Sequence, residues 1–519
     1  MAEIKPNNIL FSLLTLISLL LSISYHVIGQ ASPQKTTKKR IELIYADENV
    51  RVKDASGREV NHILGHVLFR HNDVTMKCDS ALYTPSLEQI TAFSHVNIEQ
   101  GDTLDLFGDY LFYDGKTEQA IVRKNVELVD KETHLYTDAL DYDVRNKIAR
   151  YNTGGRITNA DNTLTSVHGV YYAEEKLFHF KDDVKIVNPD YVMTADTMDY
   201  NTLTETSFFT GPTELKGDSL YLYCEKGWYD TKNEVTSIWK KALIDNRKQI
   251  VTGDSLFFND STGYGEAFRN VVIQDTVNKI ALEGNYAWYY KQPERFLVTD
   301  KAVFIQISKN DSLFMHADTI NSITVMSDTS SYRLTRAYYK CRIFSKGLQG
   351  MCDSISYSFQ DSVIRFYREP ILWSEENQLT SADSLAIFTK NRQAERLELY
   401  NAAFITSQVD SVRYNQIKGR TLTGYFVNNE LEKVDINGNG ESLYYLIDKD
   451  KIAGVNHSKC ARIEAKLKDG EVVEITDFGT PEGVIDPPAL KKTGELRLEG
   501  FSWLNNIRPK KKTDIFLHR

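Results

Sequence analysis

One short pattern returns along this chain about every 29 residues, and that periodicity limits the fold more than any other property. It reads Cys78-Asp79-Ser80-Ala81-Leu82-Tyr83, then Gly108-Asp109-Tyr110-Leu111-Phe112-Tyr113, then Thr137-Asp138-Ala139-Leu140-Asp141-Tyr142. It recurs as Ala195-Asp196-Thr197-Met198-Asp199-Tyr200, Gly253-Asp254-Ser255-Leu256-Phe257-Phe258, Cys352-Asp353-Ser354-Ile355-Ser356-Tyr357 and Ala382-Asp383-Ser384-Leu385, with weaker copies centred on His168, Glu225, Asn285 and Asp318. Of these eleven anchors eight are Asp, eight carry Tyr four positions later, and nine follow Cys, Gly or Ala. At roughly 150 residues per domain, a chain of 519 residues would otherwise suggest three or four domains. A repeat of this length points instead to stacked units, none of which can bury a face alone.

Each unit reads as short strands. Apolar or small residues stand three and one before the anchor (Leu106, Gly108; Met193, Ala195) and two and four after it (Leu111, Tyr113; Met198, Tyr200). The period of two is that of a strand, and it slips by one residue at the anchor. In a straight strand such a slip would turn the later side chains outward. A bulge or corner at the anchor would keep them inward, with the small preceding residue suiting tight backbone and the Asp carboxylate capping freed N–H groups. Turn pairs such as Asp114-Gly115 and Asn146-Lys147 follow, and a return strand leads to Val96, Val126, Ala242, Val271 or Ala302. The expected architecture is all-β, an elongated solenoid or extended jelly roll. Scarce proline (11 residues) and 58 aromatic side chains agree with long β-pairing.

The net charge of −9 argues against nucleic acid, which needs a basic face. Lys5, the apolar run from Ile9 to Ile28 and the small residues Gly29 and Ala31 read as a signal peptide over residues 1–29, with an uncleaved anchor as the competing account. Either way the chain is expected to work outside the cytoplasm. Residues 30–40 then form a linker, 41–411 the repeats, 412–480 divergent terminal β units, and 481–519 a basic tail. From Pro487 onward eight cations face three anions, a net of +5 that leaves −14 on the rest. This tail is expected either to be solvated or to dock on an anionic headgroup surface or a partner.

The segment Gly65-His66-Val67 through Ala81-Leu82-Tyr83, preceded by Ile44-Tyr45-Ala46-Asp47, resembles the organic-solvent-tolerance-like (OstA-like) domain of lipopolysaccharide-transport bridge proteins of Gram-negative bacteria. In that family a Tyr-x-Ala-Asp strand precedes Gly-Asn-Val and an iterated Ala-Asp-x-Leu-x-Tyr strand. Here His66 stands for the usual Asn and Cys78 for the usual Ala. The likeness spans Ile41 to Ser411, with echoes from Asn437-Gly438-Asn439-Gly440 to Phe478. It implies a periplasmic V-shaped β-jelly-roll whose apolar interior cradles lipid A acyl chains and which joins partner jelly rolls end to end in outer-membrane assembly. The stretch after residue 420 is too short for the large barrel of the family's receptor member.

The inward columns are the candidate lipid groove: Leu82, Tyr83, Leu111, Tyr113, Leu140, Tyr142, Met198, Tyr200, Leu256 and Phe258. Their alternative role is to fill the core of a closed structural or adhesive solenoid. Tyrosine hydroxyls at a groove mouth would face sugar or phosphate groups. The function needs no catalysis and no cofactor. Two Gly-Asp-Ser-Leu strings (Gly217–Leu220, Gly253–Leu256) fall at repeat positions and read as repeat grammar, not as an esterase nucleophile. His62, His66 and His71 fit no single strand face and read as surface residues, and the anchor Asp spacing lacks the clustering of calcium loops. Cys341 and Cys352 fall opposite each other if the strands around Lys346-Gly347 pair, which makes a disulfide feasible in an oxidising compartment. Cys78 and Cys224 read as buried thiols.

Overall fold

The structure, a computed structural model, describes residues 40–517 except 103, 160–161, 310, 327–330, 391–392, 428–429, 450, 469–470 and 488–495. The expected leader or anchor lies outside the described residues, as does the linker apart from Arg40. Among the described residues 36 strands form one antiparallel sheet. Strands pair with near neighbours in the chain: Val74–Thr84 with Gln89–Gln100, that with Leu104–Asp114, and that with Gln119–Asp130. One repeat therefore supplies one outgoing strand and one return. The turns between them reuse one device, an Asp that accepts backbone N–H groups two or three residues on, as Asp114 does from Lys116 and Thr117 (both 3.0 Å).

The sheet is folded along a line at the anchors into two arms that face each other across a shared core. Register slips at this line in successive pairs, for example between Phe93 and Val96 and between Phe107 and Tyr110. The expected corner is present, but its strained residues are not the anchors. The return strand contributes two residues against one, and these carry positive φ: Ser94 and His95, Lys124 and Asn125, Lys240 and Lys241, Arg269 and Asn270. The anchor carboxylate bonds to the side chain of the bulge, not mainly to its backbone: Asp79 to His95 (2.6 Å), Asp109 to Asn125 (2.7 Å), Asp254 to Asn270 (3.0 Å). The small preceding residue also has a concrete cause. A Cβ on Gly108 would lie 2.5 Å from Val122 of the opposite arm, and one on Gly284 would lie 2.6 Å from Val298. At the fold line the arms are too close for anything larger.

Several strands are cut in two at the corner, so that separate pieces serve each arm. Ile148–Tyr151 and Gly155–Asn159 both pair with Thr133–Asp143. In the weak copy at His168 the corner falls one residue earlier, so Tyr171 points inward in place of Tyr172.

The basic tail is not simply solvated: within it Glu482–Asp486 is a strand paired with Lys451–Lys468, while Lys510, Lys511 and Lys512 are exposed and the segment of residues 496–517 is docked on the sheet. It runs back across the outer face of one arm from Gln416 to His316 and ends in a 3₁₀ turn, Lys512–Phe516. Leu498 and Phe501 complete a second small core with Phe404, Leu443, Tyr445 and Val455. Lys418 Nζ donates to Glu499 O (3.1 Å) and also pairs with Glu441, which His457 and Lys459 contact too. Burial pushes the Glu441 carboxyl up, but these donors outweigh it and hold it down at about 2. Because this lies below the ordinary value of about 4.3, the contribution to stability is complete above that pH and drains away as the pH falls toward the folded value. Acid titration followed by hydrogen exchange of residues 496–501 is expected to show loosening in that window. Glu441→Gln should abolish that pH dependence, and an unchanged acid profile would show that the cluster plays no part.

Candidate functional site

The space between the arms is the one feature that all repeats build together, and it differs along the chain. From Ile63 to Phe180 the inward side chains are buried from the fold line to the tips: Val74, Leu104, Leu111, Leu140 and Phe178 show almost no surface. This stretch is a filled core. From Tyr191 to Met315 the deep positions stay buried (Met198, Ile238, Leu256, Val271, Val298), but the tips do not. Tyr191, Tyr200, Tyr229, Ile244, Val251, Phe258, Ile273, Tyr289, Phe304 and Met315 are all half-buried. Here the inward apolar side chains toward the tips keep part of their surface above a buried floor, which makes this stretch the candidate groove.

Hydrogen bonds across the tips account for the closed stretch. His71 Nδ1 and Tyr113 Oη lie 2.6 Å apart, Tyr142 Oη donates to Gln100 Oε1 (2.6 Å), and Tyr171 Oη donates to Asp130 Oδ2 (2.5 Å). Tyr83 Oη reaches Ile41 O at 3.3 Å. Each joins the tip of one arm to the tip of the other, 41 or 42 residues away in sequence. Gln100 also donates to Val144 O, and Lys176 donates to Asp130 Oδ2 at 2.6 Å. Burial drives the Tyr113 and Tyr142 phenols well above their ordinary value, as does burial together with Asp130 for Tyr171. These hydroxyls are thus neutral donors or acceptors, sealed from solvent.

The row of latching residues is His71, Gln100 and Asp130, at steps of 29 and 30. In the open stretch the matching tips are Asn188, Gly217, Asn246, Asp275 and Gln306; the polar ones bond to neighbouring turns, as Asn188 Nδ2 does to Asn162 Oδ1 (2.9 Å) and Gln306 Nε2 to Lys279 O (3.2 Å), and the aromatic 41 residues beyond Gly217 is Phe258, which has no hydroxyl. Past the last of these latches the candidate groove begins. At its entrance burial, with Tyr229 and Tyr200 near, pushes the Tyr191 phenol up to about 12.

The expected site residues sort accordingly. Leu111, Tyr113, Leu140, Tyr142 and Tyr83 are inward but belong to the filled stretch, and Tyr113 and Tyr142 are latch members, not hydroxyls at an open mouth. Leu82 is corrected: it is 36% exposed on the outer face, and Ala81 holds the inward place, because the corner reverses direction at Asp79. Met198, Tyr200, Leu256 and Phe258 lie in the open stretch, the first and third on its floor. His71 is corrected from a surface residue to a buried one. Cys341 and Cys352 are in register opposite each other as expected, yet both are free thiols, directed to Ala337 O and Ser354 O. Burial raises the Cys78 and Cys224 thiols to about 12. Ser255 of the second Gly-Asp-Ser-Leu string sits in its strand between Trp239 and Phe268. Among the described residues no group of three or more metal-ligating side chains converges, and no helix is long and apolar enough to cross a membrane.

Fold and groove together define a repeat β-protein: one folded-over antiparallel sheet around an apolar interior, closed at one part and open at another. Residues 38–196 match the family model described as OstA-like protein, and this stretch is an OstA-like domain. No curated protein matches the chain. The matched stretch covers all of the latched core, and the candidate groove begins within it and continues beyond it in the same sheet.

Proposed function

We propose that the chain is a non-enzymatic periplasmic carrier that holds the acyl chains of lipopolysaccharide in the groove between its arms and passes them toward the outer membrane in series with other jelly-roll components. The observation that carries this reading is the interior from Tyr191 to Met315, an apolar row partly exposed above a buried floor. Such a surface gains about 25 cal/mol per Å² when an acyl chain covers it, and the process needs no reacting group. The OstA-like match supports the envelope setting and the lipid class. The latched stretch favours a second role for the first repeats, as a structural stem without ligand.

A photo-reactive residue placed at Tyr229, Val251 or Ile273 in the exported protein is expected to capture lipopolysaccharide, whereas one at Tyr113 or Tyr142 captures none. A protein that is correctly exported and folded yet yields no adduct from the open row would overturn the carrier reading.

A further inference from the structure

The C-terminal segment crosses the outside of one arm. The outside of the other, which carries the residues just after the anchors, holds three of the chain's five tryptophans, Trp228, Trp239 and Trp288, behind the candidate groove. Their strand neighbours Gly227, Ile238 and Ala287 are the buried, inward residues. One row of directly opposed residues crosses six strands: Phe208, Trp228, Ser237, Phe257, Glu266 and Trp288. In it Trp228, Phe257 and Trp288 stand two strands apart, about 9.5 Å, with a hydroxyl or a carboxylate between them. The row nearer the fold line sets Trp239, Ser255, Phe268 and Tyr286 opposite one another. Phe208, Trp239 and Phe268 are 43, 36 and 38% exposed, a contiguous patch and not single scattered residues. At the lip Tyr264 and Tyr290 meet at a centroid distance of 4.6 Å, with the Arg295 guanidinium 4.5 Å over Tyr290. Tyr264 Oη and Tyr286 Oη both donate to Glu266 Oε1 (2.6 and 2.7 Å), which leaves Oε2 without a partner among the described residues.

We propose that this face binds a carbohydrate chain, the saccharide part of the same lipid whose acyl chains the groove holds; the source of the sugar rests on the carrier reading. A sugar ring offers C–H faces that cover an aromatic ring, and hydroxyls at its edge that need polar partners. A surface that binds a chain of them must therefore alternate rings with hydrogen-bonding groups, as both rows do. The rows run along the stacking direction, so a linear saccharide lying on them meets successive repeats. A bilayer or an acyl chain would strip water from Glu266 Oε2 and return no hydrogen bond, whereas a sugar hydroxyl donates to it. The lip makes one ligand sufficient for both sides. Phe258 and Tyr289 face the groove at the end of this arm, and Tyr290, next in the chain, faces out beside Tyr264.

The test titrates the full-length protein calorimetrically with the lipid-free oligosaccharide that mild acid releases from lipopolysaccharide. Saturable binding is expected. Its affinity should fall by about tenfold when Trp228→Ala and Trp288→Ala are combined, and by about fivefold in Glu266→Gln, which preserves shape. Far-ultraviolet dichroism confirms that each variant keeps its β-structure. A photo-reactive residue at Ser237 in the exported protein should capture lipopolysaccharide as one at Val251 does, and only the capture at Ser237 should be lost with the tryptophans. Capture at Val251 with none at Ser237, and no binding of the oligosaccharide, overturns the sugar face and leaves the carrier reading standing. Oligosaccharide bound through the tryptophans with capture at neither position overturns the carrier reading, and with it the lipid as the source of the sugar. Tryptophan-dependent binding of phosphatidylglycerol vesicles without any binding of the oligosaccharide also overturns the sugar face.

Discussion

Tyr142→Ala is expected to destabilise the latched stretch by about 4 kcal/mol, the cost of removing a fully buried aromatic from a packed core. The ring is buried to 0% exposure, and its hydroxyl is the only donor described to Gln100 Oε1. The substitution therefore leaves a cavity and orphans a buried acceptor together. Tyr142→Phe separates the two effects, since it keeps the ring and loses only the bond, at about 1–2 kcal/mol. Phe258→Ala, at the equivalent repeat position in the open stretch, should cost less than Tyr142→Ala because its ring is already partly exposed. Because repeat arrays need not unfold in one step, local stability by hydrogen exchange is the proper measurement. Equal losses at Tyr142 and Phe258 would contradict the division into closed and open stretches.

The second large effect concerns Asp130. Its carboxylate is buried, takes Tyr171 Oη and Lys176 Nζ on one oxygen, and leaves Oδ1 without a partner among the described residues. Lys176→Met removes the only cation described in contact with it. Breaking a buried pair from one side costs several kcal/mol, and with the Lys176 side chain 26% exposed we expect about 3 kcal/mol. Adding Asp130→Asn to Lys176→Met should recover a large part of that loss, because the uncompensated charge is then gone. A double-mutant cycle with no coupling would show that the lysine acts only through its methylenes.

Much of this was legible because a period of two and a period of about 29 act together. The anchors located the corner, and the inward positions at +2 and +4 held wherever the anchor was an Asp. The phase failed at His168, where Tyr171 and Tyr172 are adjacent and either satisfies the pattern. Leu82 misled in the same way, as a large apolar residue beside the small Ala81 that holds the inward place. The latches were visible in principle, since His71, Gln100 and Asp130 keep step with the repeat. Their partners lie one and a half repeats away, a distance no local pattern addresses. The tail was illegible. Phe501 and Trp503 stand out among its cations, but its bonds span 80 to 159 residues and depend on isolated glutamines, so nothing local says where they dock.

Successive strands answer mainly to their neighbours in sequence, so the sheet has no long-range pairing that fixes its total length. Each repeat adds two strands, about 9.5 Å along the stacking direction. A duplication or loss of one whole unit leaves chain direction, arm assignment and corner alignment unchanged. The molecule is in this sense a ruler graduated in repeats, and the distance it bridges can be reset by recombination without redesigning its core.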